Sequence, residues 1–291
     1  MSHRRLVFRG GLRTLLGFGA ALGVWIPATL WLEAAAAGYA AWVVLSVHVA
    51  TFAALAGLTL LVLRFEGIRV TAVGLSRRHL RPALVAFVGV WVGVNVVGLC
   101  VAAATGARWG VDLLGATVDP RWQPLPAPWV TTLLVEFLVV GVVEEFAFRG
   151  YFQTKTVALL GDDSRLRIAL GVVTASLLFG ALHTPGALVA GASLGGVLGA
   201  ALLPTLTGLV FGTFYELTHN VYFVALLHGL GNTWPLVVDW STWSTPAVAA
   251  FFVGVAVVYV AATAAYRYRT VGTARTPLVE RKEGETADAV D

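Results

Sequence analysis

Glu144, Glu145 and Arg149 stand together inside an apolar run, Val139-Val140-Gly141-Val142-Val143-Glu144-Glu145-Phe146-Ala147-Phe148-Arg149-Gly150. Ionisable side chains are costly in hydrocarbon and rare there, so they mark a functional site by default. Two later apolar stretches add polar groups at helical spacing, Phe179-x-x-x-His183 and His228-x-x-x-Asn232. Residues four apart share a helix face, so Glu145 can pair with Arg149, and His228 can sit beside Asn232. Glu144 is turned about 100° from Glu145 and is free to face a cavity. A carboxylate in a poorly solvated pocket becomes a usable general base near neutral pH. Imidazole with an amide is a donor set for an oxyanion or a metal. Taken singly, each motif has a structural explanation: an interfacial charge cluster with Arg149 reaching to headgroups, a histidine at a helix end, an interhelical hydrogen-bond pair. The three together point to a catalytic set.

Such residues need a scaffold that brings three apolar segments into contact. The chain has 291 residues, 58% hydrophobic and 12% charged, with a mean hydropathy of +0.80. Soluble domains average about 25% charged residues, and apolar runs long enough to cross a bilayer recur along the whole length. The expected fold is an all-α polytopic transmembrane bundle, since lipid leaves open backbone groups unsatisfied. Eight spans are predicted, near 12–32, 40–63, 83–104, 130–149, 168–186, 198–215, 221–238 and 247–266. Arginine and lysine collect at the N-terminus, in the second and fourth connections and in the tail, which predicts a multi-pass cell-membrane protein with both termini cytoplasmic. Trp109, Trp122, Trp129, Trp240 and Trp243 fit an outer interfacial belt. Arg4-Arg5 before an apolar run resembles an export signal, but the first span is too long for one and is expected to remain uncleaved. The connection from Leu63 to Pro82 reads as interfacial. Glu216 and His219 read as solvated, and Pro27, Pro204 and Pro235 as kinks. His48 and Asn95 read as interhelical hydrogen-bond partners. The expected organisation is an N-terminal transmembrane region (1–129), a catalytic core (130–240), a last helix (241–267) and a disordered tail (268–291). One cysteine, Cys100, excludes an internal disulfide and a cysteine metal cluster. The arginines are explained by topology, so no nucleic-acid partner is expected.

The ordered set Glu144-Glu145-x-x-x-Arg149, Phe179-x-x-x-His183 and His228-x-x-x-Asn232, with Phe-Arg-Gly-Tyr-Phe at 148–152, resembles the CPBP family of CAAX proteases and bacteriocin-processing enzymes. These are intramembrane glutamate or metalloproteases, also called the Abi family. The resemblance covers roughly residues 130–240. It implies an endopeptidase whose site opens toward the cytoplasmic half of the bilayer. Its partners would be membrane lipid and a peptide or lipidated protein substrate. By the same analogy Glu144 and His183 activate water, His228 and Asn232 stabilise the oxyanion, and Glu145 and Arg149 orient the site. Glu144, His183 and His228 could also supply a two-histidine, one-glutamate zinc set. A His-Glu-x-x-His helix is absent, and a metal-free glutamate mechanism uses the same residues, so the cofactor expectation is none or zinc. Two other functions fit a polar bundle interior. One is a non-catalytic scaffold or immunity protein of the same fold. The other is a proton-coupled transporter, which inverted repeats would favour and which shows none here.

The predicted boundaries create a tension. Glu144 falls near the end of its span and His183 near the far side of its own. The two can meet only if the fifth span begins deeper, near Val172, or if Pro185 and the following glycines break the backbone. Glu136, two turns before Glu144 and rotated roughly 80° from it, is expected to line the same cavity or to pair with a neighbour.

Overall fold

The computed structural model describes residues 4–106, 118–238, 243–271 and 279–284. Helices stand where the eight apolar runs predict them. α1 is Gly11–Ala36, α2 Ala41–Phe65 and α3 Arg77–Thr105. α4 is a continuous rod over 128–160. In it α-helical Pro128–Leu134, Val142–Glu145 and Thr154–Leu160 alternate with π-helical Val135–Gly141 and Phe146–Gln153. α5, Arg165–Ala181, breaks briefly and runs on as α6, Thr184–Val189. α7 is Leu194–Thr218, α8 Val221–Thr233 and α9 Thr245–Val271. Among the described residues, six helical stretches are long and apolar enough to cross a membrane, and the protein is a polytopic all-α bundle. The other two predicted spans, α4 and α8, carry most of the polar residues that the spacing singled out. α4 holds Glu136, Glu144, Glu145, Arg149 and Lys155. α8 has only 13 residues, about 20 Å, which is short of the ~30 Å hydrocarbon core.

Packing follows from small residues. α5 and α7 touch so closely that a Cβ at Gly180 would run into the Ala201 carbonyl and Thr205. α4 and α8 meet in the same way. A Cβ at Gly141 would lie 2.8 Å from the Ala225 carbonyl oxygen, and one at Gly229 would lie 2.7 Å from Phe137. Close backbone approach drives association where lipid competes for apolar surface. Polar caps fix the helix starts: Ser164 accepts from the Arg167 N–H, and Asn220 accepts from Phe223 N–H at 3.2 Å. Asn220 also donates to the His79 carbonyl and the Tyr266 hydroxyl, so α8 is pinned to the ends of α3 and α9.

Several expectations are corrected. Part of the connection after α2, expected to be interfacial, packs into the bundle. Its residues 66–75 tuck into the bundle, with Val73 fully buried and its carbonyl accepting from Tyr215 Oη at 2.8 Å. Glu66 in the same segment is fully buried. It accepts from the Arg9 and Gly10 N–H groups at 2.8 and 2.7 Å and from Thr14, and forms an ion pair with Lys155 Nζ at 2.9 Å. Burial alone would push its carboxyl up. The contacts with Thr14, Lys155, Gly10 and Arg9 outweigh this and hold it below the ordinary glutamate value. His219 is buried and Glu216 half-buried, where both were expected to be solvated: Glu216 meets Arg281 and Gln153, and His219 Nε2–H donates to the Ala72 carbonyl at 2.7 Å. Pro27 and Pro204 lie inside helices as expected, but Pro235 follows the end of α8, where Trp234 takes a left-handed conformation. Trp122 is fully buried beside His48 instead of standing in an interfacial belt. Trp109 and Trp240 lie outside the described residues. His48 and Asn95 do bridge segments, to Glu33 at 2.7 Å and to the Val237 N–H at 2.6 Å.

The tail also differs from the expected disorder. α9 continues to Val271, and β2, Val279–Glu283, pairs in parallel with β1, Arg4–Phe8. Arg281 anchors β2 to the bundle through Glu216, and its backbone N–H donates to Asp162 at 2.6 Å. The remaining tail residues, 272–278 and 285–291, lie outside the described residues.

His219 gives a pH test of this end of the bundle. Burial pushes its pKa down to about 4, with the hydrogen bond to Ala72 acting in the opposite sense. The unfolded chain binds a proton near pH 6.5 and the folded one does not, so this stability is complete above pH 6.5 and drains as pH falls toward 4. The loss is on the order of 3 kcal/mol. His219→Asn suits the left-handed backbone (φ 47) and carries no titrating proton. The thermal midpoint of the parent protein is expected to fall between pH 6.5 and 4.5, and that of His219→Asn to stay nearly flat. Parallel profiles would remove His219 as the cause.

Candidate functional site

Most of the polar residues singled out by spacing meet around the middle of α4. Glu145 is fully buried and is the hub. Its Oε1 accepts from His228 Nδ1–H at 2.8 Å, and its Oε2 lies 3.1 Å from Arg149 Nε. The second contact is an ion pair without aligned hydrogen-bond geometry. Arg149, at i+4 as the spacing predicts, is 2% exposed. Its Nη2–H reaches the Gly208 carbonyl at 3.5 Å, and its guanidinium lies over the Phe179 ring at 4.6 Å. Oε1 is thus the oxygen that accepts a hydrogen bond, and the guanidinium supplies the counter-charge of the buried carboxylate.

That clamp decides how His228 is presented. With Nδ1–H donated to Glu145, the Nε2 corner faces Glu144, whose Oε2 is 3.8 Å away. This is beyond direct hydrogen-bonding distance. Glu144 itself keeps 14% of its side chain exposed and is not held in the ion pair below it. Phe211 of α7 stacks on the His228 ring at 5.6 Å and fixes its plane. Nothing in the spacing marked Phe211, because its role depends on the α7–α8 contact.

His183 occupies the break between α5 and α6 and is exposed. Its Nδ1 meets the Phe179 carbonyl at 2.7 Å, and a carbonyl can only accept, so Nδ1 carries the proton and Nε2 is left as an acceptor. The Phe179 ring contacts both histidines, His183 at 4.7 Å and His228 at 6.1 Å between centroids. The two imidazoles are thus separated by a single phenyl ring. The tension over depth is resolved on both sides. α4 does not end at Arg149 but runs on to residue 160, which leaves Glu144 near its midpoint, and α5 breaks at His183.

Asn232 lies one turn beyond His228 on α8, and its Nδ2–H donates to Glu136 Oε2 at 2.9 Å. Glu136 is the residue that spacing alone misplaced. The π-helical stretch Val135–Gly141 has wider turns, which rotate less per residue than an α-helix and bring Glu136 round toward the face that meets α8. An ionisable group in an apolar run was signal enough to suspect it. The structure therefore joins Glu145, Arg149 and His228 by direct contact, brings Glu144 to 3.8 Å from His228 and His183 against the same Phe179 ring, and pairs Asn232 with Glu136 alongside them.

A metal fits this arrangement poorly. Glu144, His183 and His228 carry the right donor atoms, but among the described residues no three such groups gather as a ligand set.

Residues 126–234 match the family model described as type II CAAX prenyl endopeptidase, Rce1-like. The match opens just before α4 and closes just after α8, so it spans the whole cluster, His183 included. It bears out the resemblance to CAAX proteases read from the three motifs. Neither a curated protein nor a solved structure matches the chain.

Proposed function

With an Rce1-like domain over residues 126–234 as the premise, we propose that this multi-pass membrane protein is an intramembrane endopeptidase. It hydrolyses a peptide bond of a membrane-associated or lipidated substrate with water activated by Glu144. The observation that carries this is the Glu145 clamp: a buried ion pair fixes one nitrogen of His228 and turns the other toward a second, unclamped carboxylate. A purely structural charge cluster would engage both glutamates.

The roles follow from the atoms. Glu144 takes a proton from water, and His183 Nε2 holds the same water as an acceptor. The hydroxide attacks the scissile carbonyl carbon. Asn232 has one N–H on Glu136 and a second left for the oxyanion. His228, in its protonated form, gives Nε2–H to the same oxygen. Glu144 then returns its proton to the leaving amine as the tetrahedral intermediate collapses. Glu145 and Arg149 position His228 in the way a buried carboxylate orients a catalytic imidazole. Because the donors do not gather around a metal, no step is routed through one. Both termini are assigned to the cytoplasmic side. The pairing of β1 with β2 and the arginine distribution support this assignment.

The deciding experiment is cleavage of a C-terminally prenylated peptide, and of its unlipidated twin, by the purified protein in liposomes. Cleavage of the lipidated peptide supports the assignment. Cleavage of neither, with folding intact, would sink it for this substrate class. A chelator in a parallel reaction is expected to leave the rate unchanged; loss restored by zinc would overturn the metal-free mechanism. In the same assay Asn232→Ala removes one oxyanion donor and is expected to cost about 10²–10³ in turnover. Glu136→Gln retains an oxygen acceptor for Asn232 and is expected to stay within about tenfold of the parent. A larger loss in Glu136→Gln than in Asn232→Ala would reverse these roles.

A further inference from the structure

α3 and α9 pack closely over their middle, where a Cβ at Gly93 would lie 3.0 Å from Val258 and one at Gly98 would lie 3.7 Å from Phe251. Toward the first turn of α3 and the last turn of α9 they part and leave a cavity of about 590 Å³. Val85, Ala86 and Gly89 line one wall, and Val258, Ala262 and Ala265 the other. Val85, Gly89 and Ala265 are exposed, so the slot opens outward from the bundle. It shares no residue with the catalytic cluster, which lies on α4, α5 and α8.

The mouth of this apolar slot is charged. Arg81 on α3 and Arg269 on α9 both line it, and no aspartate or glutamate does. Arg149, Arg121, Arg167 and Arg281 each meet a carboxylate. Arg81 and Arg269 have no hydrogen-bond or ion-pair partner among the described residues. From Arg81 to Gly89 the slot runs about 12 Å along α3. Two guanidinium groups at one end of an apolar channel match a molecule with an anionic head and a hydrocarbon tail. Guanidinium binds phosphate through paired N–H groups, and basic pockets between transmembrane helices take anionic headgroups.

We propose that the α3–α9 slot binds one anionic membrane phospholipid, with its phosphate between Arg81 and Arg269 and an acyl chain along the slot. The site is independent of the proteolytic assignment. It is tested by native mass spectrometry of the full-length protein in detergent, titrated with phosphatidylglycerol or with phosphatidylcholine of the same chains. The parent protein is expected to hold phosphatidylglycerol about 30-fold more tightly, from the attraction of two arginines for one anionic head. The double variant Arg81→Gln/Arg269→Gln changes exposed side chains only and should bring the two lipids within about threefold of each other. Ala265→Trp fills the slot and should weaken binding of both lipids while leaving both arginines in place. Equal binding of the two lipids by the parent would overturn the proposal, and so would a preference that survives in the double variant. Undiminished binding by Ala265→Trp would reduce the site to surface charge and overturn the slot. Displacement of the lipid by inorganic phosphate would do the same, since a free anion would then suffice.

Discussion

Glu144→Gln is expected to lower peptide hydrolysis by about 10² or more while leaving the fold unchanged. The two halves of that expectation have separate origins. The amide keeps the shape of the carboxylate but cannot take a proton from water, so the base is lost. Stability survives because Glu144 lies outside the buried ion pair: its nearest charged partner, His228 Nε2, is 3.8 Å away, and part of the side chain is exposed. Single-turnover cleavage in liposomes reads the first effect, and the unfolding midpoint of the same sample reads the second. Parent-like cleavage by Glu144→Gln would end its assignment as the base. A collapse of the midpoint would show that Glu144 belongs to the scaffold.

Arg149→Met should behave in the opposite way. It preserves length and apolar bulk but strips Glu145 of its counter-charge in a site where both side chains are 2% or less exposed. Breaking a buried pair by removing one partner costs about 3–5 kcal/mol, because the remaining charge is left uncompensated. The variant is expected to unfold at markedly lower denaturant and to lose activity with it. Adding Glu145→Gln removes the stranded charge, so the double variant should recover much of the stability. It should not recover the activity, since His228 would then lack its orienting carboxylate. A single Arg149→Met variant as stable as the parent would contradict the clamp.

How much of this was legible depended on how local each relation is. The i, i+4 pairing of Glu145 with Arg149 and the shared face of His228 and Asn232 follow from helical spacing, and both motifs land where that spacing puts them. Glu136 did not, because π-helical turns alter the rotation between it and Glu144 and leave no mark in composition. The end of α4 was misplaced for a related reason. Arg149 and Lys155 read as charges leaving the membrane, whereas each meets a buried carboxylate, Glu145 and Glu66, within the bundle. Residues 66–75 looked like an interfacial turn because their burial depends on α7 and α8, far along the chain. Val279–Glu283 carries several charges and reads as solvated tail, and the partners that hold Arg281, Glu216, Asp162 and β1, all lie far away in sequence.

The parallel pairing of Arg4 with Val279 has a kinetic meaning. β1 leaves the ribosome well before its partner, with helices α1 to α9 between them. At ~5–20 residues per second, synthesis of the intervening chain takes roughly 15–55 s. For that interval β1 has no strand to pair with, while every membrane helix between the two strands is already being inserted. Closure of the ribbon therefore waits on synthesis of β2, and it records that the chain was read through at least to Glu283. A ribosome that stalls within α9 would leave a bundle with all three motifs in place, the β1 edge unpaired and Glu216 without Arg281, a state that quality-control proteases could tell apart from the finished protein.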